Sequence, residues 1–279
     1  MIMINMMGQM RSALMGVTLA TVSVLPVSVD AAGKSDFTPH RAVFDLTVLP
    51  AAADRTFTQV TGRFVYDYNR TCIGETYNHR MKMRLTTGAG QTIETDSHIS
   101  AYEPMDGLSM QFNLRELLNG RVISLFEGQA SRPAPGQAAS VTYKKAEGLE
   151  ENPIEKLTAR TMFPMQHSTS VLAQAEGGKT RHSAKVFDGD SVSIIDAIIT
   201  RPRDPVPTVI PDRMRSAETR HKLLMAFFDP EKPDAAPHYQ TRMDLWSNGV
   251  TSAFTMETED LAVQARLVEL KFSSTPDCD

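Results

Sequence analysis

Alternating apolar and polar side chains dominate this sequence and predict β-strands along most of the chain. In the clearest segment, residues 75–85, the side chains of Tyr77, Met81 and Leu85 face one way and basic residues face the other. Asn119-Gly120 separates two further alternating segments and is the strongest short-range signal for a hairpin. We count about thirteen such segments. They span residues 40–49, 59–68, 75–85, 92–102, 109–118, 121–129, 139–144, 182–187, 192–200, 220–228, 239–246, 250–258 and 261–272.

Residues 162–178 instead have the period of an α-helix. Pro164 suits the first helical position, where its missing N–H removes no hydrogen bond, and Gly177-Gly178 provides a left-handed stop. Apolar side chains recur on one face at Met165, Val171, Leu172 and Ala175. Phe163 offers no side-chain oxygen at the N-cap, so the usual local cap is missing. We expect Phe163, Pro164 and His167 to be structural residues of this helix.

Strands of this spacing, joined by hairpin turns, predict an antiparallel barrel, an open curled sheet or a sandwich. The single helix must bury its apolar face, and the simplest way is to lie across or inside the concave face of a curved sheet. No repeat of fixed period and no linker divides the chain, so residues 32–279 are predicted to form one domain. The proline-rich segments 201–215 and 230–237 are predicted to be loops without regular elements.

An uncharged apolar run at residues 13–27 follows Arg11 and precedes small residues at Val29 and Ala31. This layout is typical of a secretory signal peptide that is cleaved after Ala31. The run is shorter than the roughly 20 residues that a membrane-spanning helix needs, although an uncleaved N-terminal anchor is the alternative. We therefore expect residues 1–31 to be a signal peptide and the remainder to be exported.

Charge and cysteine content narrow the functional classes. The formal net charge is −4 and no block of basic residues occurs, which argues against nucleic acid as a partner.

Cys72 and Cys278 both lie beyond the signal segment, and two cysteines in an exported chain most often form a disulfide. Two free thiols or an intermolecular bond are the alternatives. No C-x-x-C motif is present, which disfavours a disulfide-exchange enzyme.

No set of residues specifies a reaction. Adjacent His167 and Ser168 would point about 100° apart on a helix, so they cannot serve as the base and nucleophile of a hydrolase. The seven histidines form no H-x-H or H-x-x-x-H pair, so a metal site lacks local support. Asp188-Gly189-Asp190 resembles the start of a calcium loop but has Ile195 where the loop needs a glutamate, and it is better explained as a turn. The sequence predicts no catalytic residue, no metal and no cofactor.

Flexible apolar side chains on the predicted strands suit an irregular ligand such as an acyl chain. The candidate ligand-facing residues are Met81, Met83, Leu85, Met110 and Phe112. An ordinary hydrophobic core is the alternative, and it is the simpler explanation.

Six short segments occur in an order that is characteristic of one known family. HRAVFDL, GRFVYDYNRTC and YNHRMKMRL come first. MFPMQH, VFDGD and LWSNGV follow, and a cysteine lies near the C-terminus. Together, over residues 40–278, they resemble the EipB-like family of alphaproteobacterial periplasmic proteins.

This resemblance implies a curled β-sheet that forms a spiral around a helix, a disulfide matching Cys72 and Cys278, and residence in the periplasm. It also implies a role in keeping the cell envelope intact under stress, and it brings no catalytic residue. The implied architecture is similar to that of periplasmic lipoprotein carriers. We therefore expect a non-enzymatic, monomeric protein that binds an envelope component or a partner protein, with a lipid or lipoprotein carrier as the alternative.

Overall fold

The computed structural model describes residues 37–50, 55–147 and 154–278, and the predicted signal peptide lies outside these residues. Fifteen strands and two helices are formed, and all thirteen predicted strands are among them. The strands are β1 (His40–Val48), β2 (Phe57–Arg70), β3 (Gly74–Thr87), β4 (Thr92–Pro104), β5 (Ser109–Leu118), β6 (Arg121–Ser131), β7 (Ala139–Glu147), β8 (Lys156–Leu157), β9 (Thr161–Met162), β10 (Arg181–Phe187), β11 (Val192–Thr200), β12 (Arg220–Phe228), β13 (Tyr239–Trp246), β14 (Thr251–Glu257) and β15 (Ala262–Phe272). The helices are α1 (Pro164–Glu176) and α2 (Asp212–Ala217).

All of these strands belong to one nearly closed, barrel-like sheet, in the order β8-β7-β6-β5-β4-β3-β2-β1-β15-β14-β13-β12-β11-β10-β9. Within each half of the sheet, strands that are neighbours in sequence pair as antiparallel hairpins or, at β9 and β10, as a parallel pair. The halves meet where β1 pairs with β15, from His40↔Phe272 to Val48↔Val263. The first and last strands therefore lie at the centre of the sheet, and the middle of the chain lies at its two edges.

The predicted curled sheet around a central helix is confirmed. Helix α1 connects β9 to β10 as the crossover that a parallel pair requires. Only Ala173 and Glu176 of the helix are exposed. The Met165 N–H donates to Glu103 on β4, and the His167 ring packs against His182 on β10, so the helix contacts both halves of the sheet.

Three short elements differ from the prediction. β8 and β9 contain two residues each, too few to show an alternating pattern. Helix α2 begins after Pro211 and overlaps the segment 201–215, so the prediction that this segment holds no regular element is wrong. With six residues the helix completes fewer than two turns, and no apolar period marks it in the sequence.

The turn predicted at Asp188-Gly189-Asp190 connects β10 to β11 and packs against the other half of the sheet. Asp188 Oδ1 accepts a hydrogen bond from the Ser191 N–H at 3.0 Å. Gly189 has a φ of +120°, and a Cβ atom there would lie 2.6 Å from a methyl carbon of Leu114 on β5. Glycine is required here both by the backbone conformation and by the close contact with β5.

Cys72 and Cys278 are joined by a disulfide, with their Cα atoms 5.5 Å apart. Cys72 lies in the β2–β3 turn, and Cys278 follows β15. Because β2 and β15 both pair with β1, the bond passes across the start of β1 and links its two neighbours. The Ser273 N–H donates to the Pro39 carbonyl at 2.9 Å in the same region. The disulfide therefore fastens the junction between the two halves of the sheet.

Replacing either cysteine should destabilise the protein by the same amount, because each variant loses the same bond. For a sequence separation of 206 residues, the chain-entropy model gives an upper limit of about 5 kcal/mol. We expect Cys72→Ser, Cys278→Ser and the double variant to give equal decreases in the free energy of urea unfolding. A difference of more than about 2 kcal/mol between the single variants would contradict a shared bond.

Candidate functional site

The candidate ligand-facing side chains lie in the hydrophobic core. Met83, Leu85, Met110 and Phe112 are buried, and Met81 is half-buried against the same cluster. The ring of Phe112 packs edge-on against Phe187 with centroids 5.6 Å apart. Their contact with a ligand stays a prediction, and the described structure gives each of them a packing role.

The cavity inside the barrel is small. It has a volume of about 40 Å³ and lies between α1, at His167 and Val171, and strands β1, β12 and β13. A space of that size holds about one or two water molecules. Pockets for drug-sized ligands measure about 300 to 1,000 Å³. This cavity is therefore too small for a drug-sized ligand, and the apolar side chains around it belong to the packed core.

Two buried carboxyl groups lie at the N-terminal end of α1. Glu75 on β3 and Glu103 on β4 are directly paired across the strands. The Tyr68 hydroxyl donates to Glu75 Oε1 at 2.7 Å, and Glu103 Oε1 accepts the Met165 N–H at 2.9 Å. Burial, with a smaller contribution from the neighbouring Glu75, raises the pKa of Glu103 to about 8. Glu103 thus supplies the helix cap that Phe163 lacks.

His167 and Ser168 occupy structural positions in α1. The ring centroids of His167 and His182 are 5.6 Å apart, which ties the helix to β10. Burial, together with the adjacent His182, lowers the pKa of His167 to about 3, so this ring is neutral at pH 7. The Ser168 hydroxyl donates to the Pro164 carbonyl at 2.9 Å. The Ser168 hydroxyl therefore donates to the helix backbone and not to the adjacent His167 ring.

The larger opening is a cleft of about 770 Å³ at the C-terminal end of α1, which we call the mouth cleft. One wall is formed by residues between 175 and 180, at the end of α1 and just beyond it. The other walls are residues 199–202, where β11 leads into the proline-rich loop, and residues 219–221 at the start of β12. Its volume lies in the range of small-molecule binding sites.

The end of α1 fixes the first wall. Gly178 adopts the left-handed conformation with φ +73°. The Lys179 N–H then donates to the Gln174 carbonyl at 2.9 Å, as in a Schellman motif. The predicted glycine stop is confirmed, and it directs Lys179 and Thr180 into the mouth cleft before β10 begins.

Arg220 and two buried apolar residues hold the proline-rich loop of residues 201–215, which contributes to the second wall. The Arg220 guanidinium donates to the carbonyls of Asp204 and Pro205 and pairs with Asp244 at 3.2 Å. Further along the loop, Ile210 and Met214 are buried in the core. The proline-rich loop is therefore a fixed part of the barrel mouth.

The charges around the mouth cleft leave a positive excess. Arg220 and Lys222 form ion pairs with Asp204 and Asp244, and this group of four is neutral overall. Lys179 and Arg201 remain, one on each of two walls, and both are exposed. Glu176 at the end of α1 carries the opposing charge. The lining therefore has a net charge of about +1 at neutral pH.

His221 is the buried polar residue of the mouth cleft. Its side chain is 7% exposed, and its Nε2 has no hydrogen-bond partner among the described residues. Burial, together with the nearby Arg201, lowers the pKa of His221, so the ring is neutral at pH 7. No sequence motif marks this residue, because its neighbours in the cleft come from three separate segments.

The described part of the chain offers neither a metal centre nor a membrane-spanning helix. No group of three or more His, Cys, Asp or Glu side chains there is arranged to hold a metal ion. None of the described helices is long and apolar enough to cross a bilayer.

Comparisons with known proteins identify a family and similar chains, including chains from Brucella abortus. The EipB-like family matches residues 31–274. The cell envelope integrity protein EipB of Brucella abortus (strain 2308) is 24% identical over 274 residues, which cover 96% of this chain and 95% of that protein. A solved structure of a β-barrel-like protein with a domain of unknown function, also from Brucella abortus, superposes with a TM-score of 0.72 at 25% identity, covering 85% of this chain and 99% of the other.

The buried carboxyl group of Glu103 should make stability depend on pH. Its folded-state pKa of about 8 lies above its ordinary value of 4.5, so the folded state favours the protonated form. The stabilisation that the protonated Glu103 gives the folded state is complete below the unfolded-state pKa and is lost as the pH rises through about 8. Between about pH 5 and about pH 9, we expect the wild type to lose about 4 kcal/mol more of its unfolding free energy than Glu103→Gln.

Urea unfolding across this pH range measures the difference. The substituted glutamine side chain would keep the oxygen that accepts the Met165 N–H, so the Glu103→Gln variant retains the helix cap. The exposed Glu147→Gln serves as the matched control and should follow the wild type. Parallel pH profiles for wild type and Glu103→Gln would contradict the assignment.

Proposed function

Because the chain belongs to the EipB-like family, we propose that it is a non-enzymatic periplasmic protein that supports cell-envelope integrity by binding an envelope component in the mouth cleft. The observation that carries this proposal is the contrast between the interior cavity of about 40 Å³ and the cleft of about 770 Å³. The name of the Brucella abortus relative supports the envelope role.

Three features support the periplasmic assignment. The pattern of residues 1–31 is that of a signal peptide. A disulfide between Cys72 and Cys278 suits an oxidising compartment. The relative's role in envelope integrity is compatible with that location.

The distribution of exposed hydrophobic side chains supports a monomeric working form. The large hydrophobic side chains that are exposed in the described residues lie singly on different parts of the fold, and they are Ile73, Val122, Ile198 and Val268. Scattered residues of this kind do not form the contiguous apolar patch of an obligate interface. We propose that the protein acts as a monomer, with envelope proteins as partners only through transient contacts.

Carriage of a lipid or lipoprotein acyl chain is the alternative. This function requires the barrel to open, because an acyl chain does not fit the interior cavity. The barrel would open at its two sheet edges, β8 and β9, since each of these strands has only two residues in its ladder. Native mass spectrometry of protein released gently from the periplasm separates the two functions. Lipid that co-purifies equally with the wild type and with a variant whose mouth cleft is filled would favour the carrier over cleft binding.

Filling the mouth cleft should abolish function without unfolding the protein. Thr180 is exposed at the cleft wall, so Thr180→Trp adds bulk there without entering the core. In the native host lacking the chromosomal gene, we expect Thr180→Trp to leave cells sensitive to a membrane-perturbing detergent, whereas the wild type restores resistance.

Thr142→Trp, at an exposed position of β7 remote from the cleft residues in sequence, is the matched control and should restore resistance. Immunoblots and thermal melts establish equal amounts and equal stability of the two variants. Full restoration by Thr180→Trp would contradict a role for the mouth cleft.

A further inference from the structure

The lining of the mouth cleft has the chemistry of a selective binding site. Lys179 and Arg201 provide cationic groups that make no ion pair within the described residues, on the α1–β10 connection and at the start of the proline-rich loop. Arg220 differs from them, because Asp244 and two loop carbonyls already hold its guanidinium. The first two groups are therefore available to a ligand, and Arg220 supports the wall.

The charge balance sets the valence of that ligand. Glu176 opposes the two available cations, and the formal charges of these three side chains sum to about +1. A group with one negative charge matches this excess. A multiply charged group would carry more negative charge than the positive excess of the lining can balance.

His221 and the threonines define the rest of the ligand. The Nε2 of His221 is buried without a partner in the described residues, and a buried polar atom of this kind favours a ligand that supplies a hydrogen bond. Thr180, Thr200 and Thr219 also line the cleft, and the Thr200 hydroxyl donates to the Lys222 carbonyl at 3.4 Å. A neutral imidazole and several hydroxyls are suited to ligand hydroxyl groups, which both donate and accept.

We propose that the mouth cleft binds a monoanionic group carried on a small polyhydroxyl body, with Lys179 and Arg201 holding the anion and His221 bonding a hydroxyl. Ala175, Ile199 and Pro202 provide apolar wall for the carbon skeleton. This inference rests on the proposed function, since it names the chemistry of the component that the cleft would bind. Two envelope sources share that chemistry: a carboxylated cell-wall sugar and the glycerol phosphodiester headgroup of an anionic phospholipid.

Binding to the purified mature protein tests the inference with two probes. N-acetylmuramic acid represents the sugar acid, with N-acetylglucosamine as its uncharged counterpart, and binding is followed by calorimetry. Vesicles of phosphatidylglycerol represent the headgroup, with phosphatidylcholine vesicles as the zwitterionic counterpart, and binding is followed by flotation. Binding of the sugar acid identifies the cell wall as the source, and binding of phosphatidylglycerol vesicles identifies the membrane.

Either result should be sensitive to the two available cations. We expect Arg201→Gln and Lys179→Gln each to weaken binding of the anionic probe by about tenfold, which corresponds to the loss of one charge-assisted hydrogen bond. Lys145→Gln, an exposed lysine on β7, should leave binding unchanged. His221→Phe should weaken binding as well, and a thermal melt checks that this buried variant remains folded.

Different results would contradict the anionic class of the ligand and the role of the mouth cleft. If the uncharged probe binds as tightly as the charged one, or if Arg201→Gln and Lys179→Gln bind like the wild type, the anionic class is overturned while cleft binding stands. Binding of neither probe also overturns it. If Thr180→Trp retains both anion binding and resistance to detergent, the mouth cleft itself is not the working site.

Discussion

The pairing of β1 with β15 is the interaction on which the rest of the structure depends. Apart from the short parallel pair at β9 and β10, every other ladder of the described sheet joins strands that are neighbours in sequence and closes a local hairpin. The β1–β15 ladder instead brings together strands from opposite ends of the chain, through nine residues of register from His40 to Val48. The disulfide crosses the same junction. Without this ladder, two separate meanders would each lack the wall that closes the barrel.

Closure of the sheet creates the need for a central helix and determines how the helix is capped. A curled sheet with apolar side chains on its inner face leaves a space, and α1 fills it with Met165, Val171 and Leu172. The N-terminal end of the helix is then surrounded by protein, where N–H groups without a hydrogen-bond acceptor are destabilising. Glu103 accepts one of them from the neighbouring wall. Because burial favours the protonated form of Glu103, the stability of the folded barrel depends on pH.

The same packing leaves a cavity of only about 40 Å³ beside α1, and the larger cleft of about 770 Å³ lies at the barrel mouth. The methionine and phenylalanine side chains that suit an acyl chain in the sequence are engaged in core packing, as Phe112 is with Phe187. At the mouth, the end of α1, the start of β12 and a loop held by Arg220 and Ile210 leave an open, mixed-polarity cleft.

Local patterns in the sequence determined the strands, the helix and the glycine stop, because periods of two and of 3.6 residues are properties of neighbouring side chains. The two cysteines and the apolar leader determined the expectation of an exported chain with a disulfide, since those depend on composition and order. The tertiary structure alone decided the β1–β15 ladder, the capping of α1 by Glu103 and the choice of a filled core. It also decided the mouth cleft, where Lys179, Arg201 and His221 come from three segments. Such features depend on contacts between distant residues, and no local period records which distant residues will meet.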